Sequence, residues 1–393
     1  MSHNIRAVSA GKSQTLAIRA VSAGKSQTLA LLRSGEVLGW GGAGSGRYSP
    51  GYVDICSTPK SDGKPVYVGS SLKLSCVSAG YGVSLGVSTQ HELVVWGWNP
   101  LGVGGDQASS EIPTSIDNIT APIAVAAGQS IFAAIDQAGS LYTWGLNVDQ
   151  ALGRATEQMN ALPGVVQGAP AMQAVALGDN FMIALSREGE VFSFGSNSAG
   201  QLGLGHLNTR GTAEQVQLNA AKDAASKDTA TNLTATKPTA TKPTVSIKSI
   251  AVGATHVLAL CREGKVYAWG SNQFGQLGHQ QKRYDSQPTL LEMPEKITAL
   301  AAGTHFSLAL TESGSVYAWG WNGFGQLGTN DKQPRSVPTK VPGLAEVQAI
   351  AAGEMHALAL GKHALYGWGS NDAGQLGRAP QQQLIPFPLW ENG

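Results

Sequence analysis

The amino-acid sequence predicts an all-β fold, a seven-bladed β-propeller of four-stranded antiparallel blades, from three observations. The first is a repeat. Gly24, Gly80, Gly128, Gly178, Gly253, Gly303 and Gly353 each end an apolar run. Each is followed 16 or 17 residues later by the glycine of an aromatic-Gly pair: Trp40-Gly41, Trp96-Gly97, Trp144-Gly145, Phe194-Gly195, Trp269-Gly270, Trp319-Gly320 and Trp368-Gly369. The second is the period, with intervals of 56, 48, 50, 75, 50 and 50 residues between the first glycines, which is the signature of a repeat architecture. The third is composition within a unit: short runs of Val, Leu, Ala, Tyr and Trp alternate with Gly, Ser and Asn, the chemistry of strands and turns. A lone four-stranded sheet has two faces and cannot bury both, whereas radial stacking of the units buries each face against a neighbour.

Unit six shows the elements in order. An apolar run reaches Ala301-Ala302-Gly303, a second covers Phe306 to Leu310, and Glu312-Ser313-Gly314 reads as a tight hairpin turn. Val316 to Gly320 is the third strand, closed by Gly325-Gln326-Leu327-Gly328. Units one and two are degenerate, with Gly44-Ser45-Gly46 and Leu101-Gly102-Val103-Gly104 in place of Gly-Gln-Leu-Gly. The repeated tryptophan is expected to fill the space between neighbouring blades. After unit four comes a long connection, 207–246, in which two copies of Thr-Ala-Thr-Lys-Pro occupy 234–238 and 239–243. Its low hydrophobicity marks a flexible insertion. At the N-terminus, residues 5–17 and 18–30 are the same string. Only the second copy is in register with Trp40-Gly41, so 1–17 is read as a tail carrying a spare strand and 18–393 as the propeller.

The pattern Ala-Ala-Gly-x-x-His-x-Leu-Ala-Leu followed by Val-Tyr-Ala-Trp-Gly-x-Asn-x-x-Gly-Gln-Leu-Gly resembles the regulator of chromosome condensation repeat family. The resemblance covers nearly the whole chain and is best at 253–278, 303–328 and 353–377. It implies the propeller but not one function, because the family includes a nucleotide exchange factor for the GTPase Ran, a plant ultraviolet photoreceptor, secreted inhibitors of β-lactamase and many scaffolds. It also implies that an N-terminal segment completes the last blade beside Pro386 to Trp390.

Composition narrows the partners. The net charge is +1 and only 13% of the 393 residues are charged, so there is no basic stripe for a phosphate backbone and direct nucleic-acid binding is not expected. Cys56, Cys76 and Cys261 lack metal-ligand spacing and read as free thiols. No signal core and no run of 18 apolar residues is present, which gives the expectation of a soluble, monomeric, cytoplasmic or nuclear protein without membrane contact. Catalytic patterns dissolve on inspection. Gly82-Val83-Ser84-Leu85-Gly86 has the form of a nucleophile elbow but occupies a repeat strand. Gly11-Lys12-Ser13 and Gly24-Lys25-Ser26 have Arg6 and Arg19 where a phosphate loop needs its first glycine. The expectation is a protein that is not an enzyme, with no cofactor and no metal.

Function is then placed on the loops after the first glycines, which converge on one face of the ring. The candidate protein-binding residues are Tyr81, Gln129, Asp179, Asn180, Thr304, His305, Glu354 and Met355. Aromatic and charged anchors of this kind carry interface energy. His256 and His356 alternate in their slot with Gln27, Val83, Ile131, Phe181 and Phe306, which favours packing or a local hydrogen bond over proton transfer. Phe274 and Phe324 are expected to pack their own turns.

Binding of a protein partner is thus the primary reading, and exchange on a Ran-like small GTPase the alternative. In the Ran exchange factor, the resemblance implies, acids and a histidine on these loops contact the GTPase, and Asp179 and His305 match them in type. The β-wedge of that factor has no room in units of 48 and 50 residues. The photoreceptor's Trp and Arg cluster has no counterpart in the seven loops. Deleting residues 5–17 is expected to leave the melting temperature unchanged; a large drop in a thermal melt would show that the first copy is structural.

Overall fold

The computed structural model describes residues 18–41, 66–68, 72–98, 109–218, 245–280, 282–377 and 381–391. They form seven four-stranded antiparallel sheets, each built from four consecutive strands. The inner strands are Ile18–Ala23, Leu74–Ala79, Pro122–Ala127, Met172–Leu177, Ile247–Val252, Ile297–Ala302 and Val347–Ala352. The outer strands are Val66–Val68, Ser109–Ile116, Asn160–Val165, Arg210–Gln215, Tyr284–Leu291, Arg335–Lys340 and Gln383–Glu391. Among the described residues the helical content is one 3-10 turn, Val148–Gln150, and no helix is long and apolar enough to cross a membrane.

Two glycines per blade permit this stacking. An added Cβ at Gly303 would lie 2.6 Å from the carbonyl oxygen of Gly353 in the next blade, and one at Gly353 would lie 2.5 Å from that of Gly24. The narrow end of the wedge thus leaves no space for a side chain. Gly320, after the tryptophan, has φ of 103°, a conformation that glycine adopts without the steric cost other residues bear. Around the axis the residue after the first glycine donates its amide to the next blade. Lys25 bonds Gly80 O at 3.2 Å, Tyr81 bonds Gly128 O at 3.2 Å, Thr304 bonds Glu354 O at 3.2 Å, and Glu354 bonds Gly24 O at 3.2 Å.

The aromatic of the aromatic-Gly pair is the wedge between blades, as expected. All six of these tryptophans and Phe194 are at most 1% exposed. Trp319 Nε1 donates to Gln276 O of the preceding blade at 2.9 Å, Trp368 to Gln326 O at 2.9 Å, and Trp40 to Gln375 O at 2.9 Å. The Asn-x-x-Gly-Gln-Leu-Gly motif prepares that carbonyl. Asn322 Oδ1 accepts the Leu327 amide at 2.9 Å and Gln326 Oε1 accepts the Phe324 amide at 2.9 Å, which locks the turn without help from outside it.

The histidine slot is also a junction between blades. His256 Nε2 lies 3.0 Å from Ser307 Oγ, and His356 Nε2 lies 3.1 Å from Thr28 Oγ1. Each hydroxyl spends its own proton on a glutamine carbonyl, Ser307 on Gln276 O and Thr28 on Gln375 O, both at 2.8 Å. The proton in the histidine bond therefore sits on Nε2. Gln27 in the same slot donates to Ser84 Oγ at 3.1 Å. Where the slot is apolar the facing position is apolar too: Val83 meets Phe132, Ile131 meets Met182, Phe181 meets Val257 and Phe306 meets Ala357 in this register. Burial holds both histidines neutral, with pKa lowered to about 3.

Two expectations change. Arg210–Gln215, inside the stretch read as an insertion, is the outer strand of the fourth blade and pairs Gly195 with Arg210 and Phe192 with Gln215. Val216 and Leu218 behind it are buried. An outer strand is half solvated, so its polarity resembles that of a linker; residues 219–244 lie outside the described residues. The last blade also supplies its own fourth strand, Gln383–Glu391, which pairs Leu365 with Trp390 and Gly369 with Gln383. Gln383–Glu391 is thus the fourth strand of that blade among the described residues, and the copy at 5–17 lies outside them. Cys261 is buried and Cys76 half-buried, both unpaired; Cys56 lies outside the described residues.

Ser307→Ala strands a buried imidazole N–H and is expected to cost about 1–3 kcal/mol. His256→Phe combined with Ser307→Ala copies the Phe306 and Ala357 pairing and should recover most of that loss in urea melts. The native histidines have pKa values below their unfolded value of 6.5, so their contribution is complete above about pH 6.5 and is lost as pH falls toward 3. The slope is about 1.4 kcal/mol per pH unit for each. Acid unfolding of the double variant should be shallower by one such histidine, and an unchanged acid limb would refute the assignment.

Candidate functional site

Because strands alternate in direction, the turn after each inner strand and the loop after each third strand lie at the same end of the ring. Backbone bonds tie the two together in blades three to seven, as in Ser196 N to Asn180 O at 2.8 Å, Trp321 N to His305 O at 2.9 Å and Ser370 N to Met355 O at 2.9 Å. This end carries all eight candidate residues, but as two groups.

The first group lines the mouth of the central channel, a cavity of about 270 Å³ floored by the first glycines. Tyr81, Gln129, Asp179, Thr304 and Glu354 border it, together with Lys25. The Lys25 ammonium sits 3.5 Å from the centre of the Tyr81 ring and 3.8 Å from Glu354 Oε2. One cation thus joins blades one, two and seven. Gln129 and Asp179 are exposed to the water of the mouth. Burial by the surrounding rim pushes the Glu354 carboxyl up; Lys25 opposes this, and the charge of Asp179 adds to it. Burial also raises Asp179. The mouth therefore carries one acid from blade four and one from blade seven, and its cation Lys25 is already engaged by the latter.

His305 does not face the mouth. Its ring packs against Phe274 of the fifth blade in a tilted arrangement, centroids 4.9 Å apart, and burial lowers its pKa. Phe274 continues to Trp321 at 6.2 Å, and Trp321 to Phe324 at 5.5 Å in an edge arrangement. Phe274 is 39% exposed, so it does not simply pack its own turn as expected. Asn180 has φ of 57°, and its carbonyl, like that of Met355, holds the neighbouring loop. Sequence reasoning missed the aromatic run as a unit because its members come from three loops. The available signal was the contrast of Phe274 and Phe324 with Ala199 and Ala373 in the same slot, and of Trp321 with Ser196, Ser271 and Ser370.

No group of three or more His, Cys, Asp or Glu side chains suited to a metal occurs among the described residues. The arrangement offers a mouth that carries two acids and an aromatic shelf beside it, both rigidly backed by strands.

Comparison with known proteins matches the same architecture. A family model described as the RCC1-like domain matches residues 123–389. The ultraviolet-B receptor UVR8 of Arabidopsis thaliana is 26% identical over 301 residues, 75% of this chain, and the chain spans 59% of that receptor's length. Among solved structures, human WBSCR16 superposes with a TM-score of 0.71 at 22% identity, covering 84% of this chain and 85% of that one. Prp20p of Saccharomyces cerevisiae does so with a TM-score of 0.68 at 21% identity, covering 87% and 82%. With the model spanning more than half of the sequence and every blade carrying the glycine and aromatic-Gly register, the chain belongs to the RCC1-like domain family.

Proposed function

We propose that this protein is a non-catalytic module that binds partner proteins on the face formed by the channel mouth and the aromatic shelf. The observation that supports it is the run of rings formed by exposed Phe274 and half-buried His305, Trp321 and Phe324 beside a cation-bridged mouth that carries two acids. Large rings held in place by their neighbours bury much area at little entropic cost and are the usual anchors of protein interfaces. The mixed polar rim around them suits the solvated margin of such an interface. Prp20p, of the same fold, is described with binding to Gsp1p and histones, which fits a propeller used as a docking platform.

Exchange on a Ran-like small GTPase is the second reading, favoured by Asp179 and His305 standing on loops of this face. Against it, the third blade forms its four strands with only a 3-10 turn between the last two.

Two measurements separate the readings. Release of a fluorescent guanine nucleotide from Ran and related GTPases is expected to be unaffected by the protein; acceleration lost in Asp179→Ala would establish exchange. Partners captured by the native protein should be lost with Trp321→Ala or Asp179→Ala. Asp179→Ala should hold stability within about 0.5 kcal/mol as an exposed change, and His305→Ala should cost about 1 kcal/mol through its lost ring contact. Equal capture by the native and variant proteins would remove this face as the binding site.

A further inference from the structure

Beyond the shelf, at the junction of the fifth and sixth blades, lies a second cavity of about 510 Å³. That is within the size range of sites that take a side chain or small ligand. One wall is Phe274, the ring that links His305 to Trp321 in the aromatic run. The opposite wall is Pro334 and Ser336 of the sixth blade, and Gln280 closes one side by donating to Ser336 Oγ at 3.0 Å. The rim carries Lys282 and Arg283, both exposed, and no lining residue is an acid. Asp285, which is 6% exposed, lies 2.9 Å from His279 and 3.4 Å from Lys282 of this lining. That pair takes up part of the charge of Lys282, and Arg283 adds a second cation to the rim.

From this geometry we infer that the cavity and the shelf together bind an extended acidic peptide segment of a partner protein, with an apolar or aromatic side chain against Phe274 and carboxylates beside Lys282 and Arg283. The inference rests on the protein-binding reading of this face and names its ligand class. Charge complementarity selects the acidic character. The length of the surface selects a peptide over a single nucleotide: the ring centroids step 6.2 Å from Phe274 to Trp321 and 5.5 Å on to Phe324. At about 3.3 Å per extended residue, these steps match alternate side chains of one strand-like segment, whereas one base covers a single ring.

The test is a positional-scanning library of short fluorescein-labelled peptides with a fixed central aromatic residue, read by fluorescence anisotropy on the full chain. Selection of Asp and Glu in the flanking positions is expected. Binding of the selected peptide should weaken about tenfold in Phe274→Ala, in Phe274→Leu and in Lys282→Ala/Arg283→Ala. It should fall steeply with salt for the native protein and little for the double variant. Lys248→Ala, which removes an exposed cation that borders neither cavity, should bind as the native protein does, and melting temperatures should certify that each variant is folded. Selection of neutral or basic flanks, or binding indifferent to Lys282 and Arg283, would overturn the acidic ligand. If such peptides still depended on Phe274, the protein-binding face would survive. A library that selects nothing, or GDP binding that depends on Lys282 and Arg283, would overturn the peptide outright and leave partner capture to judge the broader reading.

Discussion

Everything in this ring depends on how closely the inner strands approach one another at the axis. The backbone of one blade touches the backbone of the next, and amides such as those of Lys25, Tyr81, Thr304 and Glu354 find their acceptors across that contact. A single Cβ at the first glycine would pry the wedge open at its narrow end. Since each blade is as wide at its rim as its outer strand requires, the axial spacing also sets how far apart the loops stand at the mouth. The reach of Lys25 to both Tyr81 and Glu354 follows from that spacing.

Away from the axis, the junctions are specified by matching. A buried polar group opposite an apolar one would cost the desolvation of its unsatisfied atoms. The chain avoids this by changing both partners together: His256 with Ser307, His356 with Thr28, Gln27 with Ser84, but Phe306 with Ala357. Each junction therefore has its own complement although the blades share one plan. The tryptophan N–H and the hydroxyl of that slot converge on the same carbonyl, Gln276 O or Gln375 O. The Gly-Gln-Leu-Gly turn thus serves the neighbouring blade as much as its own.

Much of this was legible in the chain because the constraints are periodic. The glycine and aromatic-Gly register exposed the seven blades, and the buried aromatics followed from it. The convergence of the turns after the first glycines was legible for the same reason, and five of the eight candidates border one cavity. What was not legible depends on neighbours distant in sequence. Arg210–Gln215 pairs as a strand although its own residues say linker, because the third strand of its blade offers an open edge. The packing of His305 against Phe274 joins two blades and leaves no local pattern. The last blade's closure turned on whether Gln383–Glu391, with its two prolines, pairs as a strand; it does, with register shifts that accommodate them.

That closure has a further consequence. Six seams of the ring are crossed by the chain itself, through the connection from one outer strand to the next inner strand, while among the described residues the seam between blades seven and one is crossed by no shared sheet and no connecting segment. It is held by Glu354 to Gly24, Thr28 to His356 and Gln375, and Trp40 to Gln375. Among the described residues its two sides lack the tether that loop closure gives the others. It is therefore the natural gap at which the annulus springs, and the Lys25–Glu354 ion pair of the channel mouth lies directly across it. A partner seated on that mouth would act as a clasp, contributing to the integrity of the ring it binds.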